Sequence, residues 1–518
     1  MKKLLKSVLL TCIILAVLSG TAIYLLTKKD GISDEFSNRI ATEQSDQGSE
    51  RGYRYDTDKG AIPLMTSGQE KNVLNFDSNK DAYNVAVSTA ARERLDRLIK
   101  RTTPTFEKPI IAANPFGTNE NTFYFYFETS YRGMIRYTVM VEDASVPDHV
   151  RYVNNGQESN LSTVHEFTLS GLVPGMTNYI KIEVLDGSGA KREDLTYKYT
   201  VPNQAGAAAK LRVQKGKSKG SAANGLYFVF PKNDKKIYAY DNSGILRNTT
   251  NTESGHGKRI YQSGDSILYQ VSGTKFAKVS ALGRVMATAA VRGYGNVKDF
   301  SYDGYDNIYS LVTKGKNDYL LATSFKTGKT KEVFRFPKGV RANSLTAPKA
   351  GNIYIAGAKP SGVLKVTAVT GRSPKVAFVL GKKQAWNKTS LKKKVVEDKE
   401  VLRWNTSGAV LNLEDGLSDG TNDRIATYLQ NNGRGAGISF TVDGKKKAVA
   451  VRDSFPVGKG GFCGCQHYEE NYIISANDAG IYEEYDREGK VTKQFSLGKT
   501  VENVTKLSLN GMCFYGGN

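Results

Sequence analysis

GLYFVFPKNDKKIYAYDNSGILR, at residues 225–247, is the first copy of a unit that recurs through the second half of the chain. Each copy opens with a strand of the type G-x-[LI]-Y-x-[VL] and closes with a hairpin turn and its partner strand. Further copies lie at residues 264–286, 306–336, 351–381, 408–455 and 470–498. A spacing of about 50 residues is typical of four-stranded propeller blades, and a closed ring removes exposed sheet edges. The repeats therefore predict a six-bladed β-propeller over residues 225–518, with five or seven blades as the nearest alternatives.

A second group of strand-like segments precedes the repeats. Short runs rich in β-branched and aromatic residues, such as FYFYFET at 123–129 and NYIKIEVLD at 178–186, alternate with turns that carry Gly, Asp and Asn. This pattern favours a small β-sandwich over residues 107–201. Residues 202–224 are rich in Ala, Gly, Ser and Lys, and we interpret them as a linker. The predicted fold class is therefore all-β.

The N-terminal residues predict membrane attachment. An apolar run from Ser7 to Leu26 lies between lysines on both sides, and its 20 residues match the length of a helix that crosses a bilayer. A cleaved signal peptide is the alternative, because small residues follow Gly20. We expect a single uncleaved anchor over residues 1–29 and a stalk with a short helix over residues 30–106. The bulk of the chain is then extracytoplasmic, at the cell membrane.

The chain is strongly basic, with a formal net charge of +22. Outside the cell this charge favours anionic envelope polymer or lipid headgroups as partners, and nucleic acid is not expected. The run Lys445-Lys446-Lys447 follows a turn-forming Asp-Gly pair. Such runs are more often solvated loops than docking sites.

Three of the four cysteines lie near the C-terminus. Cys463 and Cys465 flank a single glycine, so a disulfide between them would close a strained ring. A closed propeller would bring Cys513 beside the sixth unit, which predicts that any disulfide pairs Cys513 with Cys463 or Cys465. Cys463 and Cys465 with His467 lack an evident fourth zinc ligand, and the acidic turns lack the alternation of an EF-type calcium loop. We expect no metal site and no cofactor.

Four short motifs carry a resemblance to known proteins. They are NPFGT at 114–118, VHEFTLSGLVPGMTN at 164–178, GDSILYQVSGTKFAKVSALGRV at 264–285 and PKVAFVLGKKQAW at 374–386. The first is similar to the Asn-Pro-Tyr-Gly-Thr motif of the bacterial arylsulfate sulfotransferases, and the others resemble later segments of the same family. The resemblance covers residues 108–518. It implies a sandwich followed by a propeller, and transfer of a sulfuryl group from a phenolic sulfate to another phenol.

The resemblance also implies a histidine nucleophile in the central channel, with His, Asn and Arg side chains around the sulfuryl oxygens. Those oxygens are electron-rich, so a nucleophile and fixed donors must converge on one sulfur. This chain departs from the family at the matching positions. Val297-Lys298-Asp299 replaces His-His-Asp, Arg341-Ala342-Asn343-Ser344 replaces His-x-Asn-Thr, Lys359 lies beside the position of the family arginine, and Ser407-Gly408-Ala409 replaces Gln-His-Thr. A glycine cannot attack sulfur, and we assign no catalytic residue.

None of the four histidines stands at the position of the family nucleophile. His149 and His165 belong to the predicted sandwich, and His256 lies in a turn between the first two units. His467, at the start of the sixth unit, does not match the nucleophile position. It is kept as the alternative catalytic residue.

The substitutions in the channel suggest binding without catalysis. Lys298, Arg341, Asn343 and Lys359 are candidates for an anion-binding site, because permanent cations stand where titratable imidazoles are expected. We therefore expect a catalytically degenerate, arylsulfotransferase-like propeller that binds an anionic or aryl-sulfate-like small molecule, or a partner. The alternative is an active arylsulfate sulfotransferase with non-standard catalytic residues. A decayed channel whose cations point to solvent is the plainest interpretation.

Overall fold

The computed structural model describes residues 73–75, 81–153, 161–204, 206–207, 210–216, 225–347, 351–367, 369–370, 373–398, 412–418, 422–431, 434–443, 449–457, 462–468, 471–476 and 480–507. All of them belong to one compact unit, which spans residues 57–518. No helix within these residues is long and apolar enough to cross a membrane. The anchor over residues 1–29 lies outside the described residues and stays a prediction, as does the solvated lysine loop at 445–447.

The N-terminal sandwich is organised around one long strand. That strand is β4 (Phe123–Val141). The other strands in this part of the chain are β1 (Val73–Asn75), β2 (Ile110–Ala113), β3 (Asn119–Glu120), β5 (His149–Val153), β6 (Ser162–Leu169), β7 (Thr177–Leu185) and β8 (Lys191–Thr200). The first half of β4 pairs with β2 and β6, and its second half pairs with β5 and β7. Gly133 lies at the crossing, where a Cβ would come within 2.5 Å of the Val184 side chain. Aromatic rings fill the core, and Phe125 stacks on Phe167 at 5.3 Å.

A helix, α1 (Val85–Thr102), packs between the sandwich and the repeats. Asn84 caps its first turn, because its side-chain oxygen accepts a hydrogen bond from the Ala86 N–H at 2.9 Å. Leu95 is fully buried against the sandwich. On the other side, the Ser88 hydroxyl accepts a hydrogen bond from the Val285 N–H at 2.9 Å. The helix therefore joins the two parts of the fold.

Six sheets of four or five strands lie beyond the sandwich in the described part of the chain, and we label them sheets I to VI. Sheet I contains β3, β10 (Leu226–Pro231), β11 (Lys236–Tyr240), β12 (Leu246–Asn251) and β34 (Val501–Leu507). Sheet II contains β13 (Ile260–Ser263), β14 (Ser266–Gln270), β15 (Lys275–Ser280) and β16 (Val285–Ala290). Sheet III contains β17 (Val297–Tyr302), β18 (Asn307–Lys314), β19 (Asn317–Ser324) and β20 (Thr330–Arg335).

The remaining three sheets continue the same order. Sheet IV contains β21 (Arg341–Thr346), β22 (Ile353–Lys359), β23 (Ser361–Thr367), β24 (Lys375–Leu380) and β25 (Val395–Val396), with a short helix α2 (Lys383–Trp386) before β25. Sheet V contains β26 (Asn412–Ser418), β27 (Asn422–Asn431), β28 (Arg434–Asp443) and β29 (Val449–Val457). Sheet VI contains β30 (Phe462–Tyr468), β31 (Asn471–Ala476), β32 (Ile481–Tyr485), β33 (Val491–Ser496) and β9 (Arg212–Lys215).

Distant segments of the chain meet in sheets I and VI. The C-terminal strand β34 pairs with β10 in sheet I, and β9, from the predicted linker, pairs with β33 in sheet VI. The first strands of sheets III, IV, V and VI contact one another in order, and β30 contacts β34. We call β13, β17, β21, β26, β30 and β34 the inner strands. The predictions of an all-β fold and of a propeller-like arrangement are confirmed.

Buried ion pairs join neighbouring sheets. They are Arg259–Asp299 between sheets II and III at 3.0 Å, Lys365–Asp423 between sheets IV and V at 2.9 Å, and Lys506–Glu484 between sheets I and VI at 3.1 Å. Buried charges are tolerated only where they are paired and hydrogen-bonded. Each pair therefore fixes one sheet against another.

Candidate functional site

Two of the predicted cations, Lys298 and Arg341, converge in the structure. The Lys298 amine lies 2.8 Å from one carboxylate oxygen of Asp318, and the Arg341 guanidinium lies 3.1 Å from the other. Lys298 is the second residue of β17 and Arg341 the first residue of β21, so the cluster lies where two inner strands begin. Asp318, from β19, is the residue that the sequence did not indicate. We call these three residues the channel triad.

Two of the predicted residues, Lys298 and Asn343, lie at irregularities in the backbone of their strands. The register of β17 against β18 shifts between Val297 and Asp299, which leaves Lys298 as the extra residue of a bulge. The register of β21 shifts twice, and Asn343 is the extra residue of the second shift. Bulges of this kind re-aim side chains at the rims of sheets. Alternation along a regular strand would therefore not predict where these side chains point.

Asp318 is an ionised carboxylate at the bottom of the triad. Its side chain is only 1% exposed, and it also accepts hydrogen bonds from the Ala342 N–H at 2.9 Å and from Thr313 at 2.8 Å. Burial acts to raise the pKa of Asp318, but hydrogen bonds from Lys298, Ala342 and Thr313 outweigh burial and lower it. Two cations and one anion leave the triad with one net positive charge.

The two cations keep contact with solvent. The Arg341 side chain is 40% exposed and that of Lys298 is 33% exposed. Each group therefore has N–H donors that Asp318 does not use. A ligand that reaches the inner strands from this end meets both groups.

A second basic group borders the triad. The Lys258 amine donates to the Lys298 carbonyl at 2.7 Å and lies 3.8 Å from a Glu502 carboxylate oxygen. Asn503, from the C-terminal strand, donates to the Lys258 carbonyl at 2.9 Å. Residues beside sheets I, II and III thus meet at the same end of the inner strands.

The structure also places the other two candidates. The backbone of Lys359 pairs with that of Arg341 across β21 and β22, and the Lys359 side chain is exposed. Asn343 is half-buried. Of the predicted candidates, the structure brings Lys298 and Arg341 together on Asp318.

His467 lies elsewhere along its strand. It is the sixth of the seven residues of β30 and pairs with Tyr472. Lys298 and Arg341 instead lie at the beginning of their strands. With a rise of about 3.3 Å per residue, His467 is separated from the beginning of β30 by roughly 16 Å.

The disulfide between Cys513 and Cys463 or Cys465 stays a prediction. Cys465 is buried in β30, and Cys513 lies outside the described residues, so the disulfide prediction is untested. Within the described residues, no group of three or more His, Cys, Asp or Glu side chains could hold a metal ion.

The other histidines lie outside the triad. His149 and His165 are buried in the sandwich. His256 is exposed and lies within hydrogen-bonding distance of Ser254 at 2.9 Å and Asn296 at 3.3 Å.

Buried His165 predicts a measurable loss of stability in acid. Burial lowers the pKa of His165 to about 4, so at intermediate pH the unfolded chain binds a proton that the folded chain does not. The contribution is complete above about pH 6.5 and falls by roughly 1 kcal/mol per pH unit towards pH 4. His165→Gln should therefore show a shallower loss than the wild type in urea unfolding measured at pH 7, 6 and 5. The exposed-site variant His256→Gln should follow the wild type, and equal slopes for His165→Gln and wild type would contradict this account.

Comparison with known proteins supports one class. Residues 110–202, which contain most of the sandwich, match the family model described as the arylsulfotransferase Ig-like domain. This match and the propeller-like arrangement together support an arylsulfotransferase-like protein. The comparison with curated protein sequences found no match.

Similarity to solved structures is low. A putative 6-phosphogluconolactonase from Bacteroides uniformis is 12% identical, with 73% of this chain and 100% of that chain covered and a TM-score of 0.37. The Pan2 WD40 domain from Neurospora crassa is 11% identical, with 54% of this chain and 76% of that chain covered and a TM-score of 0.30. At these TM-scores neither similarity carries an inference about function.

Proposed function

We propose that this chain is a catalytically degenerate arylsulfotransferase-like protein that binds an anionic ligand at the channel triad without transferring a sulfuryl group. The observation that carries the proposal is the convergence of Lys298 and Arg341 on Asp318. Arg341 is a permanent cation that cannot attack sulfur, and the Lys298 amine is hydrogen-bonded to a carboxylate. The triad therefore supplies donors and charge but no nucleophile.

The charge balance indicates the class of ligand. Asp318 cancels one of the two cations, and the remaining positive charge suits a monoanion such as an aryl sulfate or a carboxylate. The planar guanidinium of Arg341 matches two oxygens of such a group in a way that an ammonium does not. A multiply charged polyanion would need more cations than the triad offers.

Anion binding should respond in opposite directions to two substitutions. Arg341→Ala removes a charge-assisted hydrogen bond worth about 1.5–3 kcal/mol, so we expect the Kd for 4-nitrophenyl sulfate to rise by roughly 10- to 150-fold. Asp318→Asn removes the competing carboxylate, and we expect the Kd to fall. Isothermal titration calorimetry measures both.

The matched control is Lys329→Ala, which removes an exposed hairpin cation of sheet III. It should change the Kd by less than about twofold, and mainly at low salt. Equal weakening by Arg341→Ala and Lys329→Ala would place binding on diffuse surface charge instead of the triad.

The proposal includes a six-bladed ring and attachment to the outer face of a cell membrane through residues 1–29. The six sheets and the pairing of β34 with β10 support the blade number. Anionic envelope polymer is the larger partner that we infer from the net charge of +22. An exposed group of lysines around the buried Trp386 supports this partner; its members are Lys382, Lys383, Lys388, Lys392, Lys393 and Lys394.

A further inference from the structure

A buried polar cluster lies between the sandwich and sheet I, away from the channel triad. His149 and Arg151 lie on the same face of β5, and Tyr137 is the backbone partner of Arg151 across β4. His149 is 3% exposed and Arg151 is 6% exposed. Arginine is almost never buried unless it is paired. A buried Arg151 is therefore expected to have a partner for its charge.

The carboxylate of this cluster belongs to Asp241, and it is paired with Arg247 from sheet I. The Arg247 Nε donates to Asp241 Oδ2 at 2.7 Å, and its two terminal nitrogens donate to the carbonyls of Gly171 at 3.2 Å and Pro147 at 2.6 Å. Asp241 also accepts backbone N–H groups of its own turn. The charge of Asp241 is thus matched by Arg247.

Arg151 has no such carboxylate partner among the described residues. One terminal nitrogen donates to the carbonyl of Val150 at 2.6 Å, and the Nε is buried without a partner. Burial, with the nearby charge of Arg247, lowers the pKa of Arg151 to about 10, so it is still a cation at pH 7.

His149 adds an unused ring nitrogen to the same place. Its Nε2 is buried without a partner, and the ring packs on Gly171, where a Cβ would lie 2.0 Å from the imidazole Cδ2. Burial, together with the charges of Arg151 and Arg247, lowers the pKa of His149 well below its ordinary value. The imidazole is therefore neutral at pH 7 and can donate one N–H.

We propose that Arg151 and His149 bind a small monovalent inorganic anion of the size of chloride between the sandwich and sheet I. Two guanidinium groups and one carboxylate leave one positive charge in the cluster, which such an anion neutralises. An isolated buried charge is costly, whereas a paired and hydrogen-bonded one is tolerated. Because Arg247 holds both Gly171 and Pro147, the anion site lies at the contact that joins the two parts of the fold.

Diffraction from the full-length protein tests the site directly. Crystals grown or soaked in sodium bromide should show an anomalous peak at the bromine absorption edge, within hydrogen-bonding distance of the Arg151 guanidinium. The wild-type protein suffices, so the test does not depend on the folding of a variant. Absence of a peak at Arg151, or bromide only at surface lysines, would overturn the proposal.

Unfolding in two salts provides the second arm. At equal ionic strength, the urea midpoint of the wild type should be higher in sodium chloride than in sodium gluconate, because an anion that binds only the folded chain stabilises it. Arg151→Met should lose that difference, and Arg132→Met, at an exposed position of β4, should keep it. The same difference in both variants would indicate a general salt effect and contradict the site.

Discussion

Replacing Glu484 by glutamine is expected to lower the free energy of unfolding by about 3–5 kcal/mol, because it leaves a buried lysine without its counter-charge. Glu484 in sheet VI and Lys506 in sheet I are both fully buried and lie 3.1 Å apart. The hydroxyl of Tyr227 donates to the same carboxylate oxygen at 2.8 Å and accepts from the Lys506 amine at 2.9 Å. Asn471 donates to the other carboxylate oxygen at 2.7 Å.

The size of this effect follows from the position of the pair. Lys506 lies on the C-terminal strand, so the pair fixes that strand against the preceding sheet. The Lys506 amine also lies over the rings of Tyr227 and Tyr468, at 4.4 and 4.8 Å from their centroids. These rings favour a cation but do not supply a negative charge. Glutamine preserves the shape of Glu484, removes its charge and turns one of its two acceptor oxygens into an N–H donor.

Chemical denaturation followed by circular dichroism measures the loss. The matched control is Glu488→Gln, an exposed glutamate on the turn after β32, which should change the free energy by no more than about 0.5 kcal/mol. Adding Lys506→Met to Glu484→Gln should recover part of the loss, since no buried charge is then left alone. A Glu484→Gln protein as stable as the wild type would contradict the role of the pair.

Local sequence patterns predicted the strands well, because the alternation of apolar and polar residues and the turn residues both occur within each repeat. The unit at 264–286, for example, forms β14, β15 and the beginning of β16. Pairings between distant segments were less accessible. Nothing in residues 212–215 indicates that β9 completes sheet VI, since the partner strand lies nearly 300 residues away. The motif at 114–118 likewise did not reveal that the following β3 pairs with β12.

Two of the three residues of the channel triad were predictable. The resemblance pointed to Lys298 and Arg341, and both reach the same carboxylate. Asp318 escaped notice because it sits beside an ordinary hairpin, at the second residue of β19, and belongs to no recognised motif. Bulges in β17 and β21 also re-aim side chains in a way that alternation cannot indicate. Two of the cations predicted to bind an anion thus belong to a cluster that contains its own carboxylate, Asp318.

The largest expected effect on function is the absence of turnover. Enzymes accelerate their reactions by at least about a millionfold, so an active sulfotransferase would release 4-nitrophenol from 4-nitrophenyl sulfate far faster than water does. Sulfuryl transfer needs a nucleophile in line with the sulfur and donors for the oxygens. The triad offers the donors, and His467 lies near the other end of its inner strand. We therefore expect release at the uncatalysed rate, in the wild type and in His467→Ala alike.

One proton NMR titration tests the central claim most directly, because it reports binding and chemistry in the same spectrum. The purified full-length protein is added to 4-nitrophenyl sulfate and phenol. We predict that the aromatic signals of 4-nitrophenyl sulfate broaden with the wild type, broaden less with Arg341→Ala, and that no 4-nitrophenol or phenyl sulfate signals develop. Growth of those product signals with the wild type, and their loss in His467→Ala, would contradict the degenerate channel; unchanged line widths would contradict anion binding at the triad.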